Sequence, residues 1–413
     1  MQQAPAAAPD KDVLMKPDFL ARLLRTPAPM RLRAYPAGGS ARSSLPASAL
    51  RQVLLSADGG PGDALDLQGP NRRVPAEAVP AKPVPAKPGG RRVRGAFAGL
   101  RPVRSRRPLA EVLRLLGEGR RSLEGATAEA REPEIPAAAE FREAWHATSS
   151  GSRRYRLYLP ASLGAAPPAG LVLMLHGCRQ NPEDFAIGTG MNVQAEAHRL
   201  IVVYPGQTAA SNGLCCWNWF RPGDQGRGDG EPAVLASLAE TLRDRFGVPA
   251  DRVFVAGLSA GGAMSAVLAE TYPDVFAAAG IHSGVSAGVA NDAVSAFAAM
   301  CGETRRPRAL NPAIPRARLI VFQGTGDRTV HPVNAKRIIA RHGAPRLSVS
   351  RSASGGRSYT RSILGAGGAA PAAECWLIDG QPHAWSGGLP AGSYTDPTGP
   401  VASAEMVRFF LQA

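Results

Sequence analysis

No stretch of this 413-residue chain approaches the run of about 18 apolar residues that a membrane-spanning helix requires. The N-terminus also lacks the apolar core of about 7–15 residues that marks an export signal, because Asp10, Lys11, Asp12, Lys16 and Asp18 interrupt it. Taken at face value, these two absences predict a protein that does not span a membrane and that stays in the cytoplasm. Cysteine is sparse. Cys178, Cys215, Cys216, Cys301 and Cys375 fit no zinc or redox spacing, so no metal site is expected. They are either buried free thiols or one or two disulfides, and disulfides would imply an oxidising compartment. Aromatic residues make up only 6% of the chain, and the arginine-rich run through Arg91, Arg92, Arg94, Arg104, Arg106 and Arg107 has just Phe97 beside it. Recognition of nucleic acid by base stacking is therefore not expected.

The formal charge of +15 is concentrated at one end, since residues 1–140 hold 23 Lys/Arg against 14 Asp/Glu. Charge gathered in this way reads as a solvated basic tail rather than a binding face on a folded domain. The same region is rich in Ala, Pro, Arg and Gly and contains the near-repeat Val79-Pro80-Ala81-Lys82-Pro83-Val84-Pro85-Ala86-Lys87-Pro88, a composition that favours extended conformations over a packed core. Two short helices are predicted within it, over Phe19–Leu24 and around Leu109, Val112, Leu113 and Leu116, which follow an i, i+3, i+4, i+7 pattern. Residues 1–140 are thus expected to be a largely disordered basic region.

From about Ser149 the pattern changes to short apolar runs separated by turn residues and helical stretches, the pattern of an α/β protein. Arg154–Leu159 alternates as an outer antiparallel strand would. Leu171–Leu175, Leu200–Tyr204, Val253–Ala256 and Leu319–Phe322 are continuous apolar runs, as buried parallel strands are. Helices are predicted over Glu231–Phe246, Gly261–Tyr272, Pro332–Arg341 and Ala402–Leu411, with a strand over Cys375–Ile378. A catalytic domain over residues 149–413, built on a doubly wound and mostly parallel sheet with ligands at the carboxyl ends of its strands, is the economical reading.

The strongest chemical signal is Gly257-Leu258-Ser259-Ala260-Gly261, directly after a strand and directly before a helix. A tight strand-to-helix turn lifts a serine hydroxyl clear of the sheet, and small neighbours let the backbone make that turn. Ser259 is the candidate nucleophile. A serine needs a base, and the base needs a carboxylate to hold its tautomer; in this arrangement the chain order is Ser, acid, His. His383, in a loop just past the Cys375–Ile378 strand, is the candidate base, with His331 as runner-up. Asp327, reached by the glycine-rich turn Gln323-Gly324-Thr325-Gly326, is the candidate acid, with Asp379 as its competitor. His282 and His342 are expected to be structural, and His176 orienting or structural. The backbone N–H groups of Ala260 and of Cys178, the latter in the loop His176-Gly177-Cys178, are the candidate oxyanion donors.

At these residues the sequence resembles the polyhydroxybutyrate-depolymerase family of esterases, an α/β-hydrolase branch related to feruloyl and acetylxylan esterases. The resemblance covers roughly residues 150–412. It rests on Leu175-His176-Gly177-Cys178-Arg179-Gln180, Tyr204-Pro205-Gly206-Gln207, Cys216-Trp217-Asn218-Trp219-Phe220, the Gly257–Met264 segment and His383-Ala384-Trp385-Ser386-Gly387-Gly388. It implies an α/β-hydrolase fold and a cofactor-free serine esterase acting on short 3-hydroxyalkanoate esters or oligomers, or on acyl esters of plant polysaccharide. It implies substrate contacts at Trp217, Asn218, Trp219 and Trp385, with at least one tryptophan as readily core. A Cys178–Cys216 bridge is implied too, although the adjacent Cys215 leaves the pairing open. Many members are extracellular, which is the alternative to the cytoplasm. A non-catalytic binding protein on the same fold is the rival from another class.

Overall fold

The continuous apolar runs become strands covered on both faces, because they offer no polar side chain to hold at a surface. In a computed structural model, residues 132–303, 316–365 and 370–412 are described. Ten strands form one sheet: β1 (Glu140–Thr148), β2 (Gly151–Leu159), β3 (Gly170–Leu175), β4 (Leu200–Pro205), β5 (Val253–Leu258), β6 (Ala278–His282), β7 (Arg318–Gly324), β8 (Arg346–Ser354), β9 (Arg357–Leu364) and β10 (Ala373–Ile378). Their order across the sheet is β1-β2-β4-β3-β5-β6-β7-β10-β9-β8. The six central strands, β4 through β10 in that order, run parallel. Antiparallel strands flank them on both sides.

Alternation along each central strand feeds two cores. Val253 and Val255 of β5 belong to the cluster that packs under α3 (Gly230–Phe246), α4 (Ala260–Thr271), α5 (Ala293–Met300) and α6 (Val333–His342). Phe254, Ala256 and Leu258 point the other way, into a cluster shared with α1 (Pro182–Thr189), α2 (Met191–His198) and α7 (Ala402–Leu411). The last helix packs tightly. A Cβ at Gly280 of β6 would lie 2.6 Å from Met406 Sδ, and Phe410 stacks on Phe254 with ring centroids 4.8 Å apart. The small residues Ala278-Ala279-Gly280 are the form a buried strand takes where a helix lies this close, and this hides β6 from a search for bulky apolar runs.

The sheet begins before the expected boundary at Ser149. All of β1 pairs with β2, Glu132 forms an ion pair with Arg156, and Ile135 and Ala139 pack on the second core. β1 is inconspicuous in sequence because every one of its residues is at least partly exposed. The predicted helices at 19–24 and 109–116 and the arginine run 91–107 lie outside the described residues. Among the described residues no helix is long and apolar enough to cross a membrane.

Candidate active site

At the carboxyl end of β5 the chain turns into α4 through Ser259, whose backbone angles are φ 56° and ψ −115°. A non-glycine residue at positive φ outside the left-handed well costs of order 1–3 kcal/mol, so the surroundings must hold it there. They do so through backbone bonds: the Ser259 N–H donates to His282 O at 2.9 Å, and its carbonyl accepts from Ala263 N–H at 2.8 Å. The motif's glycines are there because the turn is crowded. A Cβ at Gly257 would approach Leu175 O to 2.7 Å, and one at Gly261 would collide outright with the same carbonyl. A Cβ at Gly262 would lie 2.8 Å from His282 O.

Asp327 and His383 come from the neighbouring carboxyl ends of β7 and β10. The His383 Nδ1–H donates to Asp327 Oδ2 at 2.7 Å, with the acid side chain fully buried and the imidazole 12% exposed. Every remaining partner of the carboxylate is a donor: Thr329 N–H at 2.9 Å and Val330 N–H at 2.8 Å on Oδ1, and Gln323 Nε2 at 3.0 Å on Oδ2. Burial alone would raise the Asp327 pKa, but the His383 charge, its hydrogen bond and the two loop N–H groups outweigh it and hold the carboxyl below its usual range.

The loops carrying these two residues are stitched to each other. Thr325 Oγ1 accepts from Gly380 N–H at 2.8 Å, Gly326 N–H donates to Gln381 O at 3.1 Å, and Thr325 N–H donates to Ile378 O at 2.8 Å. Gly324 has no room for a Cβ because Gln381 O occupies that position. The competitors lie elsewhere. Asp379 pairs with Arg351 at 2.7 Å on the exposed side, and His331 is exposed and accepts from Val333 N–H through Nδ1.

On the other side of Ser259 lies the loop after β3. A Cβ at Gly177 would be 3.7 Å from Ser259 Cβ, so the Gly177-Cys178 backbone runs beside the serine. Gly177 N–H is taken by Gln180 Oε1 and Arg179 N–H by Leu214 O. Cys178 lies between them, with its sulfur in a disulfide to Cys216. Ala260 opens α4, so its N–H has no intrahelical acceptor. Cys215 and Cys375 are outside any disulfide.

The tryptophan segment corrects an expectation. Trp217 and Trp385 have essentially no exposed surface, and Asn218 is 3% exposed. Trp217 Nε1 donates to His176 O, while Trp385 stacks on His282 and donates to Ser403 Oγ. Both rings are core, and Asn218 is engaged with Asn212 and Glu231. Of the four, Trp219 keeps a small edge, 6% exposed, against Phe220.

His176 and His282 are fully buried and neutral. Burial depresses their pKa values to about 4 and about 3 respectively, with the His383 charge lowering His282 further. In each ring one nitrogen accepts a backbone N–H, from Gln207 on His176 Nε2 and from Ser386 on His282 Nε2, both at 3.0 Å. Depressed folded pKa values mean that the unfolded chain takes up protons first as pH falls below about 6.5, at a cost in stability of about 1.4 kcal/mol per pH unit for each ring until its folded pKa is reached. Imidazole NMR shifts for these two rings are therefore expected to stay flat between pH 7.5 and 5. Midpoints near pH 6 would refute the assignment. Among the described residues no three of His, Cys, Asp and Glu gather to hold a metal ion.

Residues 153–347 match the family model described as esterase PHB depolymerase. The chain is 30% identical over 250 residues to poly(3-hydroxyalkanoate) depolymerase C of Paucimonas lemoignei, a match that covers 57% of this chain and 59% of that one. It is 29% identical over 201 residues to a probable acetylxylan esterase A of Neosartorya fischeri, covering 45% and 53%. It is 33% identical over 141 residues to feruloyl esterase B of Thermothelomyces thermophilus, covering 34% and 47%. The matched region thus spans about half to three-fifths of these curated relatives. Among solved structures, acetyl xylan esterase from Aspergillus awamori superposes with a TM-score of 0.51 at 21% identity, covering 63% of this chain and 94% of that one, which establishes the fold. With its doubly wound sheet and strand-to-helix serine turn, the chain has the α/β-hydrolase fold, and over residues 153–347 it is similar to the PHB-depolymerase family of esterases.

Proposed function

We propose that this chain is a serine carboxylic-ester hydrolase with Ser259 as nucleophile, His383 as general base and Asp327 as the carboxylate that orients it. The observation that carries the reading is the 2.7 Å bond from His383 Nδ1–H to the buried Asp327, which leaves Nε2 as the ring's acceptor. In the first step Ser259 Oγ attacks the ester carbonyl as its proton passes to His383 Nε2. The tetrahedral oxyanion faces the N–H groups of Cys178 and Ala260, and the leaving alcohol takes the proton from His383. Water then gives a proton to His383 and attacks the acyl-enzyme; the acid departs and Ser259 regains its hydrogen. No cofactor takes part. We place the start of the catalytic domain in the 132–140 segment that leads into β1. The Cys178–Cys216 disulfide favours the extracellular alternative over the cytoplasm.

For substrate we favour short 3-hydroxyalkanoate esters and oligomers, in line with the longest of the matches above. The test is one panel on the purified protein: hydroxybutyrate oligomers, acetylated xylan and methyl ferulate, with fluorophosphonate labelling mapped by mass spectrometry. The expected result is an adduct on the Ser259 peptide and fastest turnover of the oligomers. Faster release of acetate from xylan overturns the substrate assignment, and an adduct on another peptide overturns the nucleophile.

A further inference from the structure

Glu231 lies one residue into α3, and its carboxylate is 4% exposed. It collects hydrogen bonds from three other segments: Asn218 N–H and Asn218 Nδ2, each at 2.7 Å, Arg153 Nη2 at 3.1 Å, and Gln207 Nε2. Its own N–H is held by Asp224 Oδ1 at 2.7 Å. Burying a carboxylate is costly unless donors surround it, and here they do so completely enough to fix every segment that supplies one.

Three routes run from those segments to the short stretch His176-Gly177-Cys178. Gln207 N–H donates to His176 Nε2, and the opposite nitrogen, Nδ1–H, donates to Gly177 O at 2.8 Å. That carbonyl belongs to the same planar unit as the Cys178 N–H, and because the two point in opposite directions, anchoring one aims the other. Gln207 Nε2 also donates to Cys216 O at 3.2 Å, and Cys216 is bonded through sulfur to Cys178. Trp217, between Cys216 and Asn218, donates from Nε1 to His176 O at 3.1 Å. The carboxylate therefore reaches the Gly177-Cys178 peptide itself through a ring nitrogen, and its two flanks through an indole on the His176-Gly177 peptide and a disulfide on the Cys178 side chain.

We propose that Glu231 is a positioning residue for the oxyanion site, fixing the direction of the Cys178 N–H through Gln207, His176 and the Cys216-Trp217-Asn218 segment. The inference rests on the hydrolase reading above. Misdirecting one oxyanion donor gives up part of the 10²–10³-fold that such a donor supplies.

The decisive comparison is Glu231→Gln against Glu374→Gln. Glu374 is another buried carboxylate, held by Arg361, Arg408 and Trp376 away from the serine. A glutamine at 231 keeps the shape but turns an N–H₂ toward partners that are all donors. Active sites are counted by fluorophosphonate titration, and p-nitrophenyl butyrate kinetics and inhibition by a trifluoromethyl ketone, which forms a tetrahedral anion on serine, are then measured per site. For Glu231→Gln, kcat is expected to fall about 10- to 100-fold and ketone affinity by a similar factor, with KM within about threefold. Glu374→Gln should leave all three unchanged, whatever its melting temperature. Should Glu231→Gln not fold, Gln207→Met cuts two of the routes and is expected to lower kcat and ketone affinity together by roughly 3- to 10-fold. Unchanged kcat and ketone affinity overturn the proposal, and so does an equal loss in Glu374→Gln. A wild-type protein with neither turnover nor label overturns the hydrolase reading itself.

Discussion

Replacing Ser259 by alanine is expected to lower ester turnover roughly 10⁵- to 10⁶-fold, the loss that follows when a serine hydrolase is deprived of its nucleophile. The loss should be chemical rather than structural. The backbone at 259 is held by His282 O and by Ala263 N–H, neither of which involves the hydroxyl, and alanine suffers no more than serine from φ 56°. A melting curve within about 2 °C of wild type should accompany the loss, since small surface-like changes outside the core are worth within about 0.5 kcal/mol. Fluorophosphonate labelling should vanish in the same variant. Turnover and label that both survive would mean another residue does the work.

Asp327→Asn should come next, with kcat lower by about 10⁴-fold and little change in KM. The local donors dictate the reason. Thr329 N–H and Val330 N–H both point at Oδ1, so the amide oxygen of an asparagine must take that place. Its N–H₂ then faces Gln323 Nε2 and His383 Nδ1, where the aspartate had an acceptor. His383 can meet an N–H donor only by deprotonating Nδ1 and carrying its proton on Nε2. That tautomer cannot accept a proton from Ser259. The stitching between the 324–326 and 380–381 turns uses backbone atoms and Thr325, so the variant should keep its shape. The check is a kcat/KM measurement beside a melting curve: wild-type kinetics in a folded Asp327→Asn protein would remove Asp327 from the mechanism.

How much of this could be read from sequence depended on what each segment had to bury. β3, β4, β5 and β7 stood out because strands covered on both faces must be apolar throughout, and the serine turn stood out because only glycine fits where Leu175 O crowds the chain. β1 and β8 were silent for the opposite reason. All nine residues of β8 are exposed, so nothing buried sustains an apolar period, and the alternation begun at Leu347 and Val349 breaks off at Arg351. The tryptophans misled because an aromatic cluster next to an active-site loop has the same composition whether its rings face substrate or core. Trp217 and Trp385 face the core, and their indole N–H groups are used for bracing. Glu231 gave no local signal, since an acidic residue in the first turn of a helix is already accounted for by the helix dipole. Its partners are 13, 24 and 78 residues away in the chain.

The packing of α7 bears on the order in which a growing chain could mature. Strand β5, which delivers the serine turn, is complete by residue 258, yet one of its faces is closed only when Phe410 settles on Phe254 and Met406 on Gly280. A chain still being synthesised would hold that apolar face open to water until residues 402–411 had emerged. It would also lack His383 until late. Exposed apolar surface of this kind is where newly made chains aggregate. The molecule is thus most vulnerable before its proposed catalytic set is complete, and the event that shields the sheet follows the arrival of His383.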